Sequence, residues 1–447
     1  MTEGSISKKI LLFALPVFLG QLLQQLYNVV DSVVVGNELG KEALAAVSSS
    51  GSLIFLVVGF VNGLFVGAGV IIGNRYGAKD YEAVHTAVHT AIAFGLISGL
   101  IMTILGVLLC PYILTWMDTP SDVFSNSVLY LRIYFCGGLF NVMYNTCCGI
   151  FQAVGDSKHP LYYLICSAIV NTVMDVLFVV VFDFGIAGAA IATVLAQGLS
   201  AFLAFMKLTR VTGVEKVTVR DIKIDPETLA AELKLGIPTG VQNSVIAIAN
   251  VIVQSNINAF GSVAMAGCGS YFKLEGFAFL PITSFCSALT TFTSQNMGAN
   301  NMDRAKRGTR FGIVSGVACA EVIGIVLFAF GALFLRMFSS EPDVIEYGVS
   351  QIHVEALFYC FLAYSHCMAA VLRGAGKTTV PMFVMLGCWC LFRITYITVA
   401  VKLFPVIRTV FLAYPITWSM SSLIFTIYYL KVKIFKVVTS SDKRGTT

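Results

Sequence analysis

Polar residues in this chain gather in short clusters, and long apolar runs fill the intervals between them. A helix needs about 20 apolar residues to cross the hydrocarbon core of a bilayer. Twelve stretches are long enough: 10–35, 48–72, 84–109, 125–150, 161–182, 187–208, 233–260, 264–293, 309–335, 345–371, 381–402 and 408–431. The pattern predicts an all-α polytopic membrane protein with twelve transmembrane helices. Because Ile10 onward continues as a full-length span, no cleavable signal peptide is expected.

The polar clusters repeat as well as the apolar runs. Asn74-Arg75-Tyr76-Gly77-Ala78 is echoed by Gln295-Asn296-Met297-Gly298-Ala299, and Gly155 through Pro160 by Gly376 through Pro381. Gly77 to Gly298, Gly155 to Gly376 and Pro160 to Pro381 are each 221 residues apart, while Pro16 to Pro238 and Asn28 to Asn250 are 222. Each repeat holds six spans, so both halves enter the membrane in the same sense. The expectation is two pseudo-symmetric six-helix bundles related by an axis along the membrane normal, with a cavity between them. The divisions read 1–206 for the first lobe, 207–232 for a basic linker, 233–437 for the second lobe and 438–447 for a tail. Pro16 and Pro238 occupy matching places in spans one and seven. Proline removes a backbone donor and kinks a helix, so the pair marks either bendable helices or two static kinks.

Charge gives the orientation. Of 29 Lys and Arg, 22 lie in the termini and the loops 73–83, 152–160, 207–234, 294–310 and 372–380; the opposite loops hold four. This asymmetry places both termini in the cytoplasm. Composition agrees with a chain mostly in lipid: 57% hydrophobic, 12% charged, mean hydropathy +0.84. The net charge of +5 does not point to nucleic acid, because the basic residues are scattered over short loops. The twelve cysteines, among them Cys110, Cys136, Cys147, Cys148, Cys166 and Cys268, lie nearly all in apolar runs, show no metal spacing and read as small buried hydrophobes.

Asp31 is a carboxylate inside the first apolar run, with Tyr27 and Asn28 just before it. A charge at the bilayer centre costs at least about 2.5–3.5 kcal/mol, so such a group is neutralised or kept in polar company. Span five offers Asn171 and Asp175, four apart and so on one helical face, and span six offers Thr193 among small residues. Counted from the outer span ends, Asp31, Asp175 and Thr193 agree in depth to within about 5 Å at 1.5 Å per residue. Two carboxylates, an amide oxygen and a hydroxyl are hard donors. They suit Na⁺ or a shared proton; the alternative is a polar interhelical network that does not titrate in function.

The second half departs from the first: Asp31 falls opposite Val253, and span seven carries Asn243, Asn250, Gln254 and Asn258 instead of an acid. This stripe is expected to face a substrate cavity. Glu275 and Glu355 are open between substrate contact and structural pairing, and Glu321 has no assigned role. His353 reads as structural, and Arg393 as an anchor between the halves or for a neighbouring carbonyl. The Gly77–Asp80 and Gly298–Asn301 segments read as helix C-caps and turns. Gly374-Ala375-Gly376-Lys377-Thr378 is only a fragment of a phosphate-binding loop, without its upstream glycine or a preceding strand. No HExxH motif and no nucleophile triad is found, so an enzyme is not expected.

The two six-span halves, Gly73-Asn74-Arg75-Tyr76-Gly77-Ala78, its partner at 295–299 and Arg373 through Thr378 together resemble the MATE family of multidrug and toxin extrusion transporters, over nearly the whole chain. The resemblance implies a V-shaped pair of bundles. It also implies export of organic, often cationic or amphipathic compounds in exchange for H⁺ or Na⁺, with no cofactor. The prokaryotic DinF-like branch is the nearest in pattern. There an Asp on span one, an Asn and Asp four apart on span five and a Thr on span six form the coupling-cation site, matched here by Asp31, Asn171, Asp175 and Thr193. Pro16 matches the bending proline of that branch. NorM-like members use second-half acids, including one on span seven, which this chain lacks. The expected setting is the cytoplasmic membrane of a bacterium or archaeon, as a monomer whose partners are small organic molecules, the cation and the bilayer. The rival expectation is a flippase for a lipid-linked sugar or cell-wall precursor, which would need a strongly cationic cavity.

Overall fold

Each apolar run forms a helix that begins before it, and most of the helices also run past its end. The computed structural model describes residues 1–117, 119–432, 434 and 435; the tail expected at 438–447 lies outside the described residues. The spans are α1 (Ile6–Glu38), α2 (Gly40–Gly77), α3 (Tyr81–Trp116), α4 (Ser121–Cys136 and Gly138–Val154), α5 (Lys158–Val181) and α6 (Gly185–Arg210). The second set is α7 (Pro226–Asn258), α8 (Ser262–Gly298), α9 (Met302–Leu335), α10 (Pro342–Gly374), α11 (Thr379–Leu403) and α12 (Ile407–Lys431). Among the described residues, eleven are long and apolar enough to cross a membrane, and the bent α4, taken as one span, brings the number to twelve. The 36 residues of α3 run about 54 Å against a hydrocarbon core of about 30 Å, so the helix ends project beyond the lipid.

The repeat is visible in the turns. α2 and α8 end at Gly77 and Gly298, and the chain then passes through left-handed residues, Lys79 (φ 61°) and Asn300 (φ 54°). The next residues start the following helices: the Asp80 carboxylate accepts from Ala83 N at 3.1 Å, and the Asn301 side chain accepts from Arg304 N at 3.4 Å.

It is visible again in two broken spans. α4 bends by 48° at Gly137. There a Cβ would lie 2.8 Å from Val194, and Leu139 N, freed by the break, donates to Thr103 Oγ1 at 3.0 Å. In α10 the chain tightens into a 3₁₀ turn at Ala356–Phe358, and Cys360 N donates to Glu321 Oε2 at 3.0 Å. Residues 139 and 360 are 221 apart, so the same freed donor is met by a side chain of the preceding span in both halves. Freed backbone groups in a membrane need such a partner. This gives Glu321 a structural role, as the acceptor for the N–H freed in α10. Glu321→Ala should destabilise the protein by about 1–3 kcal/mol, and Glu321→Gln, which keeps an acceptor, by less; denaturant titration in micelles reads both.

By internal contacts the described chain divides into two compact units, Leu19–Gly240 and Met1–Phe18 with Val241 onward. α1 and α7 each change unit two residues after their proline, Pro16 and Pro238. Within the second unit, Ile10, Phe13 and Ala14 enter the large apolar core that contains Tyr271, Phe292 and Trp418.

Within Leu19–Gly240, the first half of α7 lies directly on α2. A Cβ at Gly63 would sit 2.3 Å from Gly240 N, and one at Gly236 would sit 2.4 Å from Leu64 O. Small residues four apart let two helix backbones touch in lipid, where apolar burial gives no drive to associate. Gly236→Val should therefore force the helices apart and lower the midpoint of thermal unfolding, whereas Gly269→Val, whose Cβ meets nothing within 4 Å, should leave it unchanged.

The segment between α6 and α7 is docked in the same unit. Val217 is buried, its N–H donates to Leu208 O at 2.9 Å, and Asp225 N donates to Thr90 Oγ1 at 3.2 Å. Of the cysteines expected inside, Cys136 is instead exposed and Cys166 half-buried; Cys110, Cys147, Cys148 and Cys268 are buried.

Candidate functional site

The unit Leu19–Gly240 contains all four residues of the hard-donor set: Asp31 on α1, Asn171 and Asp175 on α5, Thr193 on α6. Asn171 and Asp175 are 2% and 0% exposed. One Asp31 carboxylate oxygen, both Asp175 oxygens and both polar atoms of the Asn171 amide are buried and have no protein hydrogen-bond partner. Buried polar groups are ordinarily satisfied, and each unmet one costs about 1–3 kcal/mol or more if charged. Thr193 Oγ1 donates to Ala189 O at 3.1 Å, which leaves its own lone pairs free to accept or ligate. These groups fit a cation or a proton delivered from outside the protein.

Local backbone supports the arrangement. The α-helical part of α5 stops at Asp175, and Val176–Val181 continue as a π-helix. π stretches inside helices are frequent at functional sites, because an inserted residue re-aims the side chains beside it. Tyr27 and Tyr130 feel the charges of both carboxylates, and Asp175 feels that of Asp31. Tyr134 lies beside Gln197, and Tyr130 stacks on Tyr134 with ring centroids 6.5 Å apart. Tyr130, Tyr134 and Gln197 carry no charge or motif that marks them in the sequence. The available signal was spacing: Tyr130 and Tyr134 are four apart on α4, and Gln197 is four beyond Thr193. Asn28 is exposed, and its carbonyl accepts from Ser32 Oγ at 2.8 Å.

The second unit carries a different cluster. Tyr271 OH lies 2.9 Å from Glu355 Oε2, 3.4 Å from Glu275 Oε1 and 3.0 Å from Tyr359 OH. Gln351 Nε2 donates to the other Glu355 oxygen at 2.9 Å. Arg393, 2% exposed, donates to Thr417 Oγ1 at 2.8 and 3.3 Å, lies over the Trp389 and Tyr414 rings, and acts electrostatically on both glutamates. Arg393 thus anchors an internal network of its own unit. Glu355 is paired at both oxygens. His353 packs on Phe328 at 4.8 Å on an exposed face. In the α7 stripe, Asn250 and Asn258 are exposed, and Gln254 Nε2 donates to Asn258 Oδ1 at 2.8 Å.

Comparison with known proteins agrees with the repeat. The MatE family profile matches residues 16–177 and again 238–399, its two copies beginning at Pro16 and Pro238. The Bacillus subtilis (strain 168) protein named "Probable multidrug resistance protein YpnP" is 31% identical over 84% of this chain and 84% of its own. The Thermotoga maritima protein named "Probable multidrug resistance protein NorM" is 25% identical over 85% of this chain and 82% of its own. Among solved structures, a MOP superfamily transporter from Pyrococcus furiosus, described as having a binding pocket of reverse polarity, superposes with a TM-score of 0.91 at 21% identity, covering 97% of this chain and 98% of that one. An outward-facing multidrug resistance MATE transporter gives 0.89 at 22% identity, covering 99% and 97%. With both halves matched by the profile and a relative above 30% identity along most of its length, the chain belongs to the MATE family.

Proposed function

We propose that this multi-pass membrane protein is a secondary active multidrug efflux antiporter, of the DinF-like kind, that exports organic cationic or amphipathic compounds in exchange for H⁺ or Na⁺. The observation that carries the reading is the group of buried, unpartnered atoms on Asp31, Asn171 and Asp175. A cation or proton bound there neutralises two acids that the bilayer penalises, and the ion acts on transport through its different affinity for two conformations. Pro16, at the point where α1 changes unit, is where that helix would bend as the site fills. The basic-loop asymmetry supports cytoplasmic termini, so Asp31 and Asp175 face the outer half of the membrane and load from outside. The first unit carries coupling, the α7 stripe contacts substrate, and one chain suffices as a monomer.

The flippase reading has less support. A pyrophosphate cavity needs free cations, yet Arg393 is committed to Thr417 and two rings, while Arg132 and Lys273 are exposed. The test is dye efflux from proteoliposomes with pH and Na⁺ gradients imposed separately. Efflux driven by one of them, and absent without a gradient, is the expected result. Gradient-independent movement of a lipid-linked sugar would overturn the reading.

A further inference from the structure

One cluster outside the site just described contains metal-ligating side chains. His85 and His89 are one turn apart at the start of α3, with ring centroids 3.9 Å apart, and Asp221 is in the docked segment between α6 and α7. One ligand atom from each of the three lies within 4.8 Å of the others. All three belong to the unit Leu19–Gly240.

We propose that His85, His89 and Asp221 form a reversible binding site for a borderline divalent transition metal, Zn²⁺ foremost, which staples the inter-repeat segment to α3. The donor set is two imidazoles and one carboxylate. That set suits Zn²⁺, with a fourth position left for water. Two ligands at about 2.0–2.1 Å from a tetrahedral ion lie about 3.4 Å apart. His85 Nε2 and Asp221 Oδ2 are already 3.7 Å apart.

His89 is prepared in a second way. Its Nδ1 donates to His85 O at 2.7 Å, which fixes the tautomer and leaves the Nε2 lone pair as the acceptor. That lone pair now receives Thr218 N at 2.9 Å. Thr218 lies on the same segment as Asp221, three residues earlier, so a small shift of one short stretch frees His89 Nε2 and carries Asp221 inward together. Without metal, His89 serves as the docking acceptor for that stretch; with metal, it ligates. The His85 and Asp221 side chains are 44% and 50% exposed, which allows exchange with solution and argues for a reversible site. The same loop cluster carries Lys223, whose charge reaches His85. A cation there weakens a divalent ion's hold, which also favours exchange over permanent occupancy.

The test uses tag-free, full-length protein in detergent, titrated with Zn²⁺ by calorimetry and with Co²⁺ by visible spectroscopy. The expected result is one saturable site per chain, d–d bands of a four-coordinate Co²⁺ complex, and reversal by chelator. His85→Ala and Asp221→Asn should each weaken binding at least tenfold, and both keep the His89–Thr218 contact, so folding is not at stake. His159→Ala, at a two-residue His–Asp pair elsewhere, should change nothing. In proteoliposomes, saturating Zn²⁺ should slow wild-type efflux severalfold and leave His85→Ala unaffected. Absent saturation, or equal uptake by wild type and both variants, would mean an adventitious ion only and overturn the site. Binding that leaves efflux unchanged would overturn the staple.

Discussion

Asp31→Asn should lower gradient-driven efflux by at least about 100-fold while the protein remains folded in the membrane. The amide matches the carboxylate in shape, so packing around α1 is kept. What it removes is the ability to alternate between an anionic oxygen and a neutralised one. The driving force that it disconnects is large. One pH unit is worth about 1.4 kcal/mol per proton, and 100 mV adds about 2.3 kcal/mol per charge moved. Together they amount to about 3.7 kcal/mol, enough for roughly 500-fold accumulation of a substrate per ion exchanged. Asp175→Asn should act alike, and the double variant should be no worse than either single one, because groups that work as a unit are not additive. Asn171→Ala separates the two ions. It removes a neutral oxygen ligand, which a Na⁺ ion needs and a shared proton does not, so a selective loss of Na⁺-driven efflux would identify Na⁺. Efflux by the Asp31→Asn/Asp175→Asn double variant within about threefold of wild type would rule out coupling at this site.

These residues were legible because lipid penalises charge: an acid in an apolar run is conspicuous, and helix spacing adds Asn171 and Thr193 to it. Tyr130, Tyr134 and Gln197 were not, because aromatic and amide side chains in an apolar helix look like packing residues until a neighbour is seen. The twelve spans were readable from hydropathy, but the breaks in α4 and α10 were not. Gly137-Gly138 hints at the first. At the second, Ala356-Leu357-Phe358 carries no helix breaker, and the cause is distant in sequence: Glu321, 39 residues before the N–H that it accepts. The contact boundary after Pro238 was hidden for a related reason. The polar linker looks like the natural division, yet it is the close approach of Gly63 and Gly240 that holds the first half of α7 in the unit of α2. Glu275 and Glu355 stayed open between two roles because Tyr271 and Gln351 reveal their pairing only in three dimensions.

The second-half network makes the other large prediction. Arg393→Met should destabilise the protein by about 3–5 kcal/mol, read as loss of folded protein in denaturant or heat. Removing one partner of a buried charge group leaves the remaining charge uncompensated, and that loss exceeds anything the pair contributes while intact. Here one arginine acts electrostatically on two glutamates, and its guanidinium is held by Thr417 and lies over Trp389 and Tyr414, so the variant loses a charge, two hydrogen bonds and two ring contacts together. Glu355→Gln should cost less, about 1–2 kcal/mol, since the amide can still accept from Tyr271. Adding Glu275→Gln and Glu355→Gln to Arg393→Met should recover the electrostatic part of the lost stability, because a neutral cluster no longer needs the cation, while the Thr417 bonds and the ring contacts stay lost. The same glutamine pair on the wild-type background separates structure from transport. If the cluster only holds α8, α10 and α11 together, efflux by that variant stays within about threefold of wild type. A folded Glu275→Gln/Glu355→Gln protein with no efflux would instead move coupling into the second unit, and the one-sided assignment to Asp31 and Asp175 would fail.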